Sequence, residues 1–201
     1  MTHLLKQTLD LIPPDQPCAL LIRHSARDPI VDWDRSDMVG LTEQGVEQAE
    51  GLGNLIAERF KPGRVVSSTV GRCVETAAAI LRGANWPVTV IIDQRLSHTY
   101  IQEAWVGLAD SLYSPLVPPE VQQIVDLMLT GYGSAGHLDL FITHDTVVGS
   151  VIGYLLDEIF DERNWPGFLE GFALWKNSAG IYLAWREKVY EVSARLNGRS
   201  S

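Results

Sequence analysis

The chain has 201 residues, 46% hydrophobic and 20% charged, with a formal net charge of −9. That is the size and composition of one ordinary globular domain, not of a disordered tail. The acidic balance argues against a nucleic-acid or anionic-membrane partner, and the two cysteines, Cys18 and Cys73, form neither a disulfide framework nor a metal-ligand rhythm. Arginine outnumbers lysine twelve to four, so anion binding is expected to be local to a site.

Leu4, Leu5, Leu9 and Leu11 open the chain at the spacing of a short amphipathic helix, without the apolar core and cleavage site of a signal peptide. Pro13, Pro14 and Pro17 stiffen the approach to a first strand at Cys18–Ile22. Its five apolar residues do not alternate with polar ones, the pattern of a central strand covered on both faces. The strand gives out into Arg23-His24-Ser25-Ala26-Arg27-Asp28-Pro29, where Pro29 stops regular structure. Two guanidinium groups and an imidazole thus sit at the carboxyl end of a strand, where open α/β sheets bind ligands. Arginine offers a rigid fork of donors matched to phosphate or carboxylate.

Asp28, Asp32, Asp34 and Asp37 then crowd a polar segment around Trp33. It reads as a solvated loop, or as a rim meeting a positively charged part of a substrate. Thr42 is a good N-cap, and Leu41 and Val46 stand at the positions of a hydrophobic staple. Val46, Ala49, Gly53, Ile56 and Phe60 continue at helical spacing until Pro62-Gly63, and Arg64–Ser68 reads as a second strand. After Ser67-Ser68-Thr69 a helix places Val70, Cys73, Ala77 and Ile80 on its inner face. Arg72 falls in its first turn, where free N–H groups and the helix dipole favour an anion, unless it merely decorates the surface.

Val88–Ile92 predicts a third strand. The connection from Asp93 to Pro119 is long and aromatic, with Tyr100, Trp105 and Tyr113 beside His98 and Glu103. A connection of that length is usually functional, and residues 94–119 are expected to form a small cap or pocket wall. Glu120–Leu129 is helical, and Leu138–Ile142 is a fourth strand ending in Thr143-His144-Asp145-Thr146 before a strongly apolar helix. Alternation at Phe172, Leu174, Ile181, Leu183 and Trp185 around Asn177-Ser178-Ala179-Gly180 predicts a hairpin. With no repeat or internal boundary, residues 1–201 read as a single domain. The expected architecture is α/β: a three-layer sandwich, with a mostly parallel central sheet, helices on both faces and a C-terminal β-hairpin.

Three strand ends therefore carry Arg23-His24 with Arg27, then Arg72, then His144-Asp145, and a doubly wound sheet can bring all three to one edge. The combined pattern resembles the histidine phosphatase superfamily, the group of acid phosphatases, phytases and phosphoglycerate mutases. Arg-His-Ser-Ala-Arg-Asp-Pro is similar to its Arg-His-Gly-x-Arg-x-Pro signature, Ser67 to Ala77 to its second motif and Thr-His-Asp to its third; Leu41-Thr42-Glu43-Gln44-Gly45 matches a further common segment.

The resemblance implies a metal-independent phosphatase that hydrolyses a phosphomonoester through a phosphohistidine intermediate, without a cofactor. His24 would be the nucleophile, Arg23, Arg27 and Arg72 the phosphate clamp, and His144 a further donor to a phosphoryl oxygen. Asp145 would protonate the leaving alkoxide; Glu103 is the alternative, since the mutase branch takes its proton donor from the long connection. Clustered arginines are expected to depress the pKa of His24 and keep one ring nitrogen free to attack, while a backbone carbonyl fixes the other. Ser25 stands where the family has Gly, so it either crowds the loop or adds a hydroxyl donor to the phosphate site. The implied partner is a small phosphorylated substrate or a phosphoprotein, with no nucleic acid or membrane, in the cytoplasm; the oligomeric state is left open. The alternatives are a catalytically weak phospho-ligand binding protein on the same fold, or a phosphomutase. A metal-dependent phosphohydrolase would need more ligands than the scattered His3, His98 and His137 supply.

Overall fold

The computed structural model describes residues 3–101, 118–131, 133–158, 160 and 163–197. Its strands are β1 (Cys18–Arg23), β2 (Lys61–Ser67), β3 (Val90–Ile92), β4 (His137–Thr143), β5 (Gly171–Asn177), β6 (Gly180–Trp185) and β7 (Lys188–Glu191). They form one seven-stranded sheet in the order β3-β2-β4-β1-β5-β6-β7. β3, β2, β4 and β1 run parallel, while β5, β6 and β7 continue the sheet antiparallel. β1 is thus the seam between the parallel and the antiparallel half, and all six of its residues are buried.

Helices cover both faces, as the patterning predicts. The core on one face joins α1 (His3–Asp10), α2 (Glu43–Ala57) and α3 (Gly71–Ala84) to Leu20 and Ile22 of β1. The core on the other joins α4 (Pro119–Leu129) and α5 (Asp145–Leu156) to Ala19 and Leu21. Side chains alternate across a strand, so a strand buried on both sides has no polar position until it ends. Among the described residues no helix is long and apolar enough to cross a membrane.

Three boundaries differ from the sequence expectation. β2 begins at Lys61, so Pro62 and Gly63 lie inside the strand rather than ahead of it; the pairing with β4 is irregular between Pro62 and Val65. There the buried Asp139 accepts from the Arg64 backbone N–H (2.7 Å) and from Arg64 Nε (2.7 Å), which satisfies the backbone that the bulge unpairs. β3 is shorter than expected, and as the edge strand it leaves Ile91 and Ile92 exposed. β7 and the short α6 (Ser193–Leu196) follow the hairpin without a hydrophobic signal strong enough to announce them. Of the expected cap, residues 94–101 contain a 3₁₀ turn at Gln94–Leu96; Glu103, Trp105 and Tyr113 lie outside the described residues.

Because β4 lies between β1 and β2, the carboxyl ends of these three strands are adjacent. The backbone stitches them just past their last residues: His24 N–H donates to the Thr143 carbonyl (2.8 Å), and Ser68 N–H to that of Ile142 (2.9 Å).

Candidate active site

His24 is the first residue past β1. Its Nδ1 lies 2.8 Å from the Ser25 carbonyl, an acceptor that fixes the proton on Nδ1 and leaves the Nε2 lone pair toward the pocket. Arg72 Nε donates to that Nε2 at 3.1 Å. Burial above all, assisted by the Arg72 and Arg23 charges and opposed by the Ser25 carbonyl, pushes the His24 pKa down to about 3. The direction is the one expected from the sequence, but desolvation rather than the arginines is the leading cause.

Arg72 reaches both histidines from the first turn of α3. Its Nη2 lies 3.3 Å from His144 Nδ1, and Nη1 donates to the Ser36 carbonyl (2.8 Å) with Asp37 at 3.9 Å. A guanidinium only donates, so His144 accepts at Nδ1 and its proton sits on Nε2, 3.1 Å from Ser68 Oγ. The Cys73 thiol lies 3.6 Å from the same nitrogen. Burial, then the charges of Arg72 and neighbouring groups, brings the His144 pKa down to about 2. An N–H directed at a ligand therefore requires a second proton on this ring.

Arg23 ends β1 on the α5 side, the same side as Ala19 and Leu21. Its Nη2 pairs with Asp145 Oδ2 at 2.9 Å, Nη1 donates to the Pro166 carbonyl (2.7 Å), and the guanidinium lies over the Phe168 ring at 4.3 Å. Asp145 is the first residue of α5; Oδ2 also accepts from Trp165 Nε1 (3.2 Å) and Oδ1 from Thr146 N–H (2.9 Å). Arg27, half-buried at the pocket wall, donates Nη1 to the Asp28 carbonyl.

Ser25 is turned away from the pocket, so the expected extra donor to the phosphate site is corrected. The residue is fully buried, its Oγ donates to the Gly45 carbonyl (2.6 Å), and its N–H donates to Thr76 Oγ1 (3.0 Å). Thr76 in turn donates to the Arg72 carbonyl (2.7 Å). The start of α2 closes the same knot. Thr42 caps the helix by accepting from Gly45 N–H (2.9 Å), and its own N–H donates to the Ala26 carbonyl (3.0 Å). A side chain at Gly45 would stand 2.1 Å from that carbonyl oxygen, so only glycine permits the approach. Glu75 on α3 accepts from Leu41 N–H (2.9 Å). The loop after β1 is thus held by α2 and α3 together.

A pocket of about 570 Å³ opens over these groups, lined by Arg23, His24, Arg27, Arg72, His144 and Asp145 together with Ile30, Trp33, His98 and Trp165. Arg23 Nε, Arg27 Nε, His98 Nδ1 and Thr146 Oγ1 are buried there without a hydrogen-bond partner. Buried polar atoms are seldom left unpaired, so the wall is built for a polar guest. Convergent cations, a neutral imidazole whose Nε2 is held, among the described residues, by Arg72 alone and a neighbouring carboxyl suit transfer of an oxyanionic group.

The structure thus brings Arg23, His24, Arg27, Arg72, His144 and Asp145 to one pocket, leaves Ser25 beneath it, and does not describe Glu103. Sequence reasoning assigned no role to Trp165, Phe168 or the Pro166 carbonyl. Its only available signal there was a Trp-Pro-Gly turn ahead of β5. It also passed over Ser68 and Thr76, although both stand inside a motif it had quoted, and gave His98 no task; that ring meets His144 edge-on at 4.9 Å.

Residues 19–113 match the family model of the histidine phosphatase superfamily (branch 1). Comparison with curated proteins gives no match. Among solved structures, a mycobacterial glucosyl-3-phosphoglycerate phosphatase is 18% identical, with a TM-score of 0.56 over 86% of this chain and 99% of its own. YhfR of Bacillus stearothermophilus is 19% identical, with a TM-score of 0.55 over 87% and 98%. The protein histidine phosphatase SixA, solved with tungstate, is 14% identical, with a TM-score of 0.53 over 87% and 96%. At these identities the likeness establishes the fold.

Proposed function

We propose, from the match of residues 19–113 to the histidine phosphatase superfamily (branch 1), that this chain is a phosphatase hydrolysing a phosphomonoester through a phosphohistidine on His24. The observation that carries the reading is the state of His24: Nδ1 tied to the Ser25 carbonyl, Nε2 facing the pocket, the pKa near 3 and Arg72 within 3.1 Å. A neutral nucleophile among cations is what phosphoryl transfer asks of a protein, since catalysis there is mostly positioning and charge stabilisation. The fold-mates named as phosphatases, one of them solved with tungstate, support the same reading.

In the first step His24 Nε2 attacks phosphorus, a P–N bond forms, and the bond to the substrate oxygen breaks. Arg72 exchanges its contact with Nε2 for a phosphoryl oxygen, and Arg23 and Arg27 take the remaining oxygens. The incoming negative charge favours the second proton on His144, which then becomes a donor. As Arg23 turns from Asp145 to the phosphoryl group, the released carboxyl takes up a proton and gives it to the departing oxygen. In the second step a water attacks phosphorus, Asp145 takes its proton, the P–N bond breaks and inorganic phosphate leaves.

The test is hydrolysis of 4-nitrophenyl phosphate with a chelator present, followed by rapid quench for an acid-labile, base-stable phosphoenzyme. Turnover and phosphoenzyme are expected in the native chain, and neither in His24→Ala. An active His24→Ala protein refutes the proposal.

A further inference from the structure

The half of the pocket beyond the phosphate clamp has a chemistry of its own. Its apolar wall is Ile30, Trp33 and Trp165, and Trp33 is 75% exposed. Its hydroxyl-bearing residues are Ser36, Thr99 and Thr146, the last with a buried, unpartnered Oγ1. The lysines and arginines among the described lining residues are Arg23, Arg27 and Arg72 alone, all assigned above to the transferred phosphoryl group. The internal stretches outside the described residues, 102–117, 132, 159 and 161–162, contain no lysine or arginine in their sequence.

The rim adds charge of the opposite sign. The segment 28–37 contains Asp28, Asp32, Asp34 and Asp37 against one cation, Arg35, which lies 3.9 Å from Asp32. Each of these aspartates is next in sequence to a residue that lines the pocket. A leaving group with its own carboxylate or second phosphate would meet this rim with only Arg35, already facing Asp32, to pair it against four aspartates, and half-buried charges need partners.

We propose that the site selects phosphomonoesters whose alcohol half carries no anionic group and lays an apolar or aromatic face against Ile30, Trp33 and Trp165. The inference rests on the phosphomonoester reading above and names the substrate class of that same site. Esters of hydroxy acids and bisphosphates are discriminated against by the rim rather than by size, since the pocket has room for either.

The experiment uses phosphonates, which bind without being cleaved. Calorimetry on the whole chain at pH 8, above the ordinary imidazole range, and at low salt, where exposed charges are least screened, compares benzylphosphonate with 4-carboxybenzylphosphonate. Benzylphosphonate is expected to bind about tenfold more tightly, the size of one unfavourable charge contact at a partly solvated surface. Equal affinity, or tighter binding of the carboxylate, overturns the proposal, as does failure of both to bind. In the double variant Asp32→Asn, Asp34→Asn the gap is expected to narrow to about threefold; an unchanged gap refutes the role of the rim. Trp33→Ala is expected to weaken benzylphosphonate about fivefold while inorganic phosphate binds as before; an equal loss for both refutes a contact with the alcohol half. The quench experiment on 4-nitrophenyl phosphate reports separately on the phosphohistidine. Phosphonate selectivity without a phosphoenzyme would sink the catalytic reading and leave this one standing.

Discussion

Replacing Gly45 by alanine tests whether α2 positions the loop that carries His24, the proposed nucleophile. The new Cβ would lie 2.1 Å from the Ala26 carbonyl oxygen, where ordinary contact begins at 3.4 Å, so the loop or the helix must move by about 1.3 Å. The obstacle is backbone on both sides, with no flexible side chain to swing away. The same carbonyl accepts from Thr42 N–H at 3.0 Å, and a shift of that size breaks the bond at a cost of about 1 kcal/mol. Overpacking adds about 1–3 kcal/mol, giving a total of roughly 2–4 kcal/mol. For a chain of this length that lowers the melting temperature by roughly 4–16 °C. Ala26 is two residues from His24, and a displacement near 1 Å at a catalytic group costs about 10²-fold in rate. Denaturant unfolding and 4-nitrophenyl phosphate turnover read the two effects on one sample. A variant within about 0.5 kcal/mol of native stability and within twofold in kcat would show that α2 does not hold the loop.

Asp145→Asn should slow hydrolysis of an alkyl phosphate by about 10²–10⁴-fold and that of 4-nitrophenyl phosphate far less, because nitrophenolate leaves without help; equal losses would argue against a proton-donor role. Stability should be greatest above about pH 6.5 and fall as the pH drops toward 3. His24 and His144 titrate near 3 and 2 when folded but near 6.5 when unfolded, so in that window the unfolded chain binds more protons and gains on the native one. Urea midpoints at pH 7, 5.5 and 4 check this, with a shallower slope expected in His24→Gln; a midpoint that rises on acidification contradicts it. Asp139→Ala, at the far end of β4, removes the buried partner of Arg64, whose guanidinium keeps partial access to solvent. A loss of about 2–3 kcal/mol with kcat unchanged is expected, and a large fall in kcat would tie that end of the sheet to catalysis.

The layered architecture was legible because hydrophobic pattern and strand termination are local signals. Cys18–Ile22 without alternation meant a strand covered on both faces, and Arg23-His24 after it meant a site at its end. Thr42 was readable as a cap for the same reason. What escaped depends on distant pairing. Ser25 could be seen to differ from the expected glycine, but not that its hydroxyl finds the Gly45 carbonyl, a partner twenty residues away supplied by α2. Thr76 sits in the quoted second motif, yet its task of receiving Ser25 N–H exists only once α3 is docked. Trp165 and Phe168 carry no periodicity; β5 runs beside β1 and brings the preceding turn over Arg23, so that Trp165 lines the pocket and Phe168 lies under the Arg23 guanidinium. Pro62-Gly63 misled for a related reason: a helix-stopping pair is also tolerated at the bulged start of a strand whose neighbour offers a carboxylate.

The thiol beneath His144 bears on how such an enzyme withstands oxidants. Cys73 is buried against the Thr143 carbonyl and the His144 ring, and burial, which outweighs the nearby Arg72, pushes its pKa up to about 12; that of Cys18 is also raised to about 12. Peroxide and alkylating reagents attack the thiolate, and at neutral pH neither sulfur supplies one. If phosphate transfer runs through the His24 imidazole as proposed, with both cysteine thiols buried, it should continue in native protein treated with iodoacetamide, a condition that silences a hydrolase whose nucleophile is a cysteine.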